Sequence, residues 1–278
     1  MKTNNPVLLK ELKLRFRFFK SVMGLLFYLV SLVIFVLAYL AIVQNGTVAG
    51  YIRPSESFIL FLVLSVAQIL LVLFITPGLT AGTISTEREK QTLNMLLTTT
   101  QTSWQIIFGK LTSSLAYLAL LLLASLPIYS IVFLFGGVAP MQIVFATCLF
   151  FLTMIAVGAC GVMISTLIRK TIPAMITTYG VSLFLILFTV IFYTISLFLF
   201  SVGVSSTESV NPLAYICIAL NPVAAVLSIL SPDVLYGIQE TTGIQLPVYV
   251  VYIAFCVVLT TVSLYVATNK LRVDMKKG

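Results

Sequence analysis

Long stretches of this 278-residue chain carry no charge at all. A helix that crosses a bilayer needs about 20 apolar residues, each adding about 1.5 Å. Ser21 to Val43 is almost wholly apolar, and Ser57 to Ala81 forms a second apolar run. Lys110 and Arg169 enclose an uncharged stretch long enough for two spans, broken at Gly136-Gly137-Val138-Ala139-Pro140, where turn residues predict a tight hairpin. A fifth span follows Lys170, and Pro247 to Thr268 reads as a sixth. The pattern predicts an all-α, polytopic integral membrane protein forming a single transmembrane domain over 1–278. Its six transmembrane helices fall at about 21–43, 57–81, 111–135, 141–168, 173–201 and 247–268.

The stretch 203–246 reads differently. Its apolar pieces, Leu213–Leu220 and Val223–Leu230, are bounded by Asn211-Pro212, Asn221-Pro222 and Ser231-Pro232. Each is too short to cross, and proline keeps the two from fusing into one regular span. They are expected as two short helices dipping into, or lying on, one face of the membrane, with Asn221 and Pro222 between them. Charge placement supports six spans. With both termini on one side, every one of the 16 Lys and Arg residues except Arg53 falls on that side. Glu208, Asp233 and Glu240 make the long loop purely acidic. This is the positive-inside bias, and it predicts cytoplasmic termini in the cell membrane.

Composition narrows the function. Hydrophobic residues make up 60% of the chain and charged ones 9%, against about 25% charged in an average soluble domain. So few charges cannot cover a soluble globule. The net charge of +8 is a topological and lipid-facing signal, and no soluble domain carries a basic patch for nucleic acid. There is no histidine, which removes the Ser-His-Asp arrangement, the common zinc sites and the usual general base. No Asp, Glu, Lys or Arg falls inside a predicted span, which argues against a proton- or ion-coupled transporter. Cys148, Cys160, Cys217 and Cys256 have no metal or redox spacing and read as apolar fillers. Gly109-Lys110 lacks the upstream glycine of a phosphate loop. The chain is therefore expected to be non-catalytic, with no cofactor or metal of its own, and any energy for transport comes from another polypeptide.

Two segments face the basic side. Residues 5–20 place Leu8, Leu12, Phe16 and Phe19 on one helical face and Lys10, Lys13, Arg17 and Lys20 on another, the pattern of an interfacial helix. A simple anchor ahead of the first span fits as well as a partner-binding role. Residues 82–110 contain Thr86-x-x-Glu89 and Thr102-x-x-Gln105, both capping-box patterns. The first predicts a short helix with Leu93, Leu96 and Leu97 on one stripe; the second opens the third span. Such an elbow can transmit a push, and an ordinary solvated loop fits equally.

The stretch Gly82-Thr83-Ile84-Ser85-Thr86-Glu87-Arg88-Glu89-Lys90-Gln91-Thr92-Leu93-Asn94-Met95-Leu96-Leu97-Thr98-Thr99 resembles the loop after the second span in ABC-2-type ABC transporter permeases. Gly109-Lys110, the opening Asn5-Pro6-Val7-Leu8-Leu9-Lys10-Glu11-Leu12 and Asn221-Pro222 are similar as well, and the layout covers the whole chain. Many members have glycine where Gln91 stands and proline where Thr100 stands. The resemblance implies a permease subunit of an ATP-driven transporter, an exporter. Glu87, Arg88, Glu89, Lys90, Thr98, Thr99 and Gln101 would then couple to a cytosolic ATPase subunit that holds the ATP and magnesium. The N-terminal helix would be the connecting helix. Two ATPase and two permease subunits, as homodimer or heterodimer, would assemble with a path lined largely by the second and fifth spans.

Inside the membrane, Gly158 and Gly161 in the fourth span permit close helix approach, within the subunit ahead of a dimer seam. Pro77-Gly78 near the end of the second span is a candidate hinge. Gln68 requires a partner, through interhelical bonding or pore lining. The sequence names no substrate. A non-transporting membrane scaffold or immunity-type protein, and an ATP-independent transporter or channel, are the alternatives from other classes.

Overall fold

The computed structural model describes residues 19–46, 53–92, 102–134, 136–203 and 210–277. Among these the chain is all-helical, with no strand. Six helical stretches are long and apolar enough to cross a bilayer, the make-up of a multi-pass membrane protein. Span one is α1 (Phe19–Gly46), span two α2 (Pro54–Thr80), and a short helix α3 (Ser85–Glu89) follows. Spans three and four are α4 (Ser103–Leu134) and α5 (Pro140–Leu167). Span five is composite: α6 (Thr171–Leu183), a π-helical turn over Phe184–Phe188, and α7 (Thr189–Gly203). Three short helices, α8 (Pro212–Ala219), α9 (Pro222–Leu230) and α10 (Pro232–Thr242), precede span six, α11 (Val248–Lys277).

Helix starts follow local chemistry. Proline opens α2, α5, α8, α9 and α10 at a first-turn position, where its missing N–H costs nothing and its fixed φ suits a helix. Glu56 and Gln142 reach back to accept from the amides of Arg53 and Ala139, both at 2.9 Å. At α4 the predicted capping box forms reciprocally: Thr102 N–H donates to Gln105 Oε1 at 3.0 Å and Gln105 N–H to Thr102 Oγ1 at 3.3 Å. The hairpin between spans three and four turns on Gly136 (φ 80°) and Gly137 (φ 84°). A Cβ on Gly137 would lie 2.2 Å from the Pro54 carbonyl oxygen. Only glycine fits that contact.

Spans two and four form the centre, 50% and 56% buried, while spans one and five are 11% buried. The core joins Leu32 of α1, Phe61 and Leu64 of α2, Leu121 of α4 and Phe150 of α5. Gln68 of α2, fully buried, donates to the Tyr28 hydroxyl and to Ser125 Oγ (3.2 Å), so it bonds between helices. Within the chain, Gly158 faces α4 and α2, and Gly161 faces α2 and α6. A Cβ on Gly161 would lie 2.2 Å from Thr80 Oγ1, and one on Gly158 would lie 2.9 Å from Leu115 Cδ2.

The stretch after span five departs from expectation in one way. Three short helices form, not two; the third carries Asp233 in its first turn and ends at Gly243 (φ 72°), a start and stop signal already present in the sequence. As expected, α8 and α9 do not fuse into one span: they meet at 91°, because Asn221 and Pro222 break the chain and restart it as a new capped helix. The expected interfacial helix, with Lys10, Lys13 and Arg17, lies outside the described residues, and Lys20 falls in the first turn of α1.

Candidate functional site

At one end of the bundle, here the basal end, α3 is tied to three spans. Its first amide groups have no helical acceptor. Ser165 of α5 supplies one: the Ile84 and Ser85 amides both donate to Ser165 Oγ, at 2.9 and 3.0 Å. Arg88 Nη1 donates to the Thr166 carbonyl at 3.4 Å, adding a cation near the carbonyl end of the same helix, where the dipole favours it. Glu87 pairs with Lys110 of α4, Nζ to Oε1 3.2 Å, and the lysine side chain is only 4% exposed. Glu89 reaches the start of α6, where Thr171 donates its amide to Oε1 (2.9 Å) and its hydroxyl to Oε2 (2.7 Å). Thr86 Oγ1 lies 3.3 Å from Thr171 Oγ1.

This is not the predicted capping box. Glu89 caps a neighbouring helix, where two donors and the positive end of a dipole meet its carboxylate. Ser165 has taken over the local capping work. The helix is also shorter than expected: it ends at Glu89, and Gln91 then adopts φ 57°, in the left-handed region. The stripe Leu93, Leu96 and Leu97, with Thr98, Thr99 and Gln101, lies outside the described residues.

The environment acts on the two carboxylates differently. At Glu87 burial opposes ionisation, but the hydrogen bond from Thr92 and the charges of Lys110 and Lys90 outweigh it, so its pKa falls below the ordinary glutamate value. At Glu89 the two Thr171 bonds lower the pKa, with Lys170 adding to the effect. Lys90 is exposed. Of the sequence-predicted coupling residues, Glu87, Arg88 and Glu89 therefore point toward the spans, and Lys90 toward solvent. Lys110, Ser165 and Thr171 complete the cluster; in the sequence Lys110 stood out only within Gly109-Lys110, and Ser165 and Thr171 were given no role.

A second set of residues lies deeper. Pro77 is buried within α2, which runs on through it to Thr80. Its missing N–H leaves the helical acceptor four residues back without its donor. Gly78 makes room for the ring of Tyr179, whose hydroxyl oxygen would lie 2.9 Å from a Cβ there. Asn221 is 1% exposed and fully employed. Its Oδ1 accepts from the Val223 and Ala224 amides at 2.8 and 3.1 Å, capping α9. Its Nδ2 donates to the Ile186 carbonyl (3.0 Å) and to Thr189 Oγ1 (2.7 Å), so it fastens the π-helical turn of span five. A π turn shifts the backbone register and leaves a carbonyl needing a donor. Between α2 and span five lie two adjoining apolar cavities of about 330 and 440 Å³ that share Leu70 and Ile186.

No family model matches this chain, and no curated protein matches it.

Proposed function

We propose that this chain is the membrane subunit of an ATP-driven transporter, an exporter, coupled through residues 82–110 to a separate cytosolic ATPase. The supporting observation is that α3 holds spans three, four and five at once, through Lys110, Ser165 and Thr171. A displacement applied to this five-residue helix reaches all three spans, which is what a coupling element requires. The resemblance of the same segment to ABC-2 permease loops supplies the partner's identity. On this reading ATP and magnesium belong to the partner, two copies of each subunit assemble, and the path runs along spans two and five. The basal end is cytoplasmic, as are both termini, and α8 to α10 lie toward the outside. Pro77-Gly78 serves as the hinge between the path and the coupling element.

The test is co-expression with an ATPase encoded beside it, followed by purification and reconstitution. The expected outcome is a complex whose ATP turnover falls in Glu87→Ala and Glu89→Ala while membrane insertion is unchanged. If no ATPase co-purifies and liposomes show no ATP-dependent movement of any candidate solute, the reading fails. A tag after Asp233 should be labelled only from outside; labelling from the cytoplasm would overturn the orientation.

A further inference from the structure

The two adjoining cavities form one trough. Along α2 it runs past Val66, Leu70 and Phe74, one residue per helical turn; along span five it runs from Tyr179 to Val190, about 16 Å of helix. Their volumes of about 330 and 440 Å³ lie within the usual range for small-molecule sites. The trough exists because α6 packs on α2, whereas beyond Leu183 the fifth span enters its π turn and is held by Asn221 of the α8–α9 elbow.

The chemistry of the lining limits what fits. Among the described residues, no charged one borders it. Ser182 Oγ is spent on the Thr178 carbonyl at 3.1 Å, and both ends of Asn221 are engaged. One polar group is left. The Tyr179 ring packs on Phe74 with centroids 5.6 Å apart, and its hydroxyl makes no hydrogen bond among the described residues. Tyr179 lies about 12 Å along the helix from Thr171. A span of this length overhangs the roughly 30 Å hydrocarbon core at each end, so the phenol sits near the basal boundary of the core while the trough rises into it.

A hydrogen-bond donor at the boundary with an uncharged apolar trough above it matches an ester carbonyl with its hydrocarbon tail. We infer that the trough takes the acyl chain of a membrane glycerolipid, with its ester carbonyl accepting from the Tyr179 hydroxyl. The word "substrate" for this lipid rests on the transport reading above; the binding does not.

The test uses the full chain in nanodiscs containing a phosphatidylglycerol with a diazirine midway along one ester-linked acyl chain. Photolysis and peptide mapping should place saturable labelling on the peptides bearing Leu70 and Ile186, in excess over the lipid-exposed faces bearing Phe27 and Phe198. Leu70→Trp, and separately Val190→Trp from the opposite wall, should each cut trough labelling at least five-fold without changing labelling at Phe27 or Phe198. Tyr179→Phe should weaken it about five-fold, the worth of one hydrogen bond of about 1 kcal/mol. Labelling in the trough no greater than at Phe27 and Phe198 overturns the inference, as does unchanged labelling in both folded tryptophan variants. Because labelling needs no ATPase, a failed co-purification sinks the transport reading alone, and uniform labelling sinks this one alone.

Discussion

Asn221 joins two elements that the chain order keeps apart, and its removal is expected to cost more than a cap. Asn221→Ala deletes both capping bonds of α9, worth about 1 kcal/mol. It also deletes the bonds to Ile186 and Thr189. Interhelical hydrogen bonds inside membranes average about 0.6 kcal/mol with a maximum near 1.7, so the bridge adds about 1 kcal/mol. The total is about 2 kcal/mol. Asn221→Ser separates the two parts, because serine still caps a helix but is too short to reach span five; about 1 kcal/mol should be lost. The assay is reversible unfolding in mixed micelles followed by circular dichroism, with hydrogen exchange over 184–190 as the local readout. A double-mutant cycle with Thr189→Ala isolates the bridge and should give coupling of about 0.5 to 1 kcal/mol. Thr189 keeps its own bond to the Leu185 carbonyl, so its hydroxyl is not orphaned in the Asn221 variants. If Asn221→Ser matches wild type in stability and in exchange over 184–190, Asn221 does not hold the π turn and the reasoning is wrong.

Four other perturbations follow from the structure. Gly161→Ala drives a Cβ to within 2.2 Å of Thr80 Oγ1 and should destabilise by about 1–3 kcal/mol; Thr80→Ala in the same chain should recover most of it. Gly158→Ala comes too close only to the flexible end of Leu115, at 2.9 Å, with Leu111 and Thr76 at 3.4 and 3.6 Å, and should cost less, so an inverted order in thermal unfolding would contradict the packing described. Gln91→Gly relieves the positive φ of 57° and should raise stability by up to about 1 kcal/mol; a loss on melting would mean that the left-handed turn is absent. Glu87 has a folded pKa below its ordinary value of 4.5. Its contribution is therefore fully present above pH 4.5 and is lost as pH falls through the lower folded value. In acid titrations of the melting temperature, Glu87→Gln should flatten this limb, and an unchanged limb would assign acid sensitivity elsewhere.

The spans were legible because their signal is long and redundant. Twenty or more apolar residues between charges leave little choice, and Gly136-Gly137 or the Thr102–Gln105 box fix the boundaries locally. The basal cluster was less legible. Glu87 and Glu89 stood out as charges, but their partners Lys110 and Thr171 lie 23 and 82 positions away. Nothing in the local pattern says which helix end a carboxylate will cap. Thr86-x-x-Glu89 misled for the same reason: a box is a local solution, and Ser165, distant in sequence, offered a better acceptor to the Ile84 and Ser85 amides. The π turn left no pattern at all, since Phe184–Phe188 is apolar in either register and only the donor from Asn221 distinguishes it. The helix over Pro232–Thr242, by contrast, was written in ordinary start and stop residues within a stretch expected to be loop.

The arrangement at α3 also constrains where a partner can act. Glu87 and Glu89 are engaged with Lys110 and Thr171, so under the transport reading they do not present free charge to an ATPase; they are the inner side of the joint. A partner would press on Lys90 and on residues beyond Gln91, and α3 would serve as the fulcrum. The three links differ in kind. The Ser165 link is a buried hydroxyl that accepts two amides, which survives screening by salt; the Thr171 link is an exposed charge-assisted pair and does not resist salt equally. Raising ionic strength should therefore loosen span five before span four. Span five is the one that borders the apolar trough and carries the π turn. Under the transport reading, a push on α3 would reach the trough wall through Glu89, as it would span four through Ser165 and span three through Lys110.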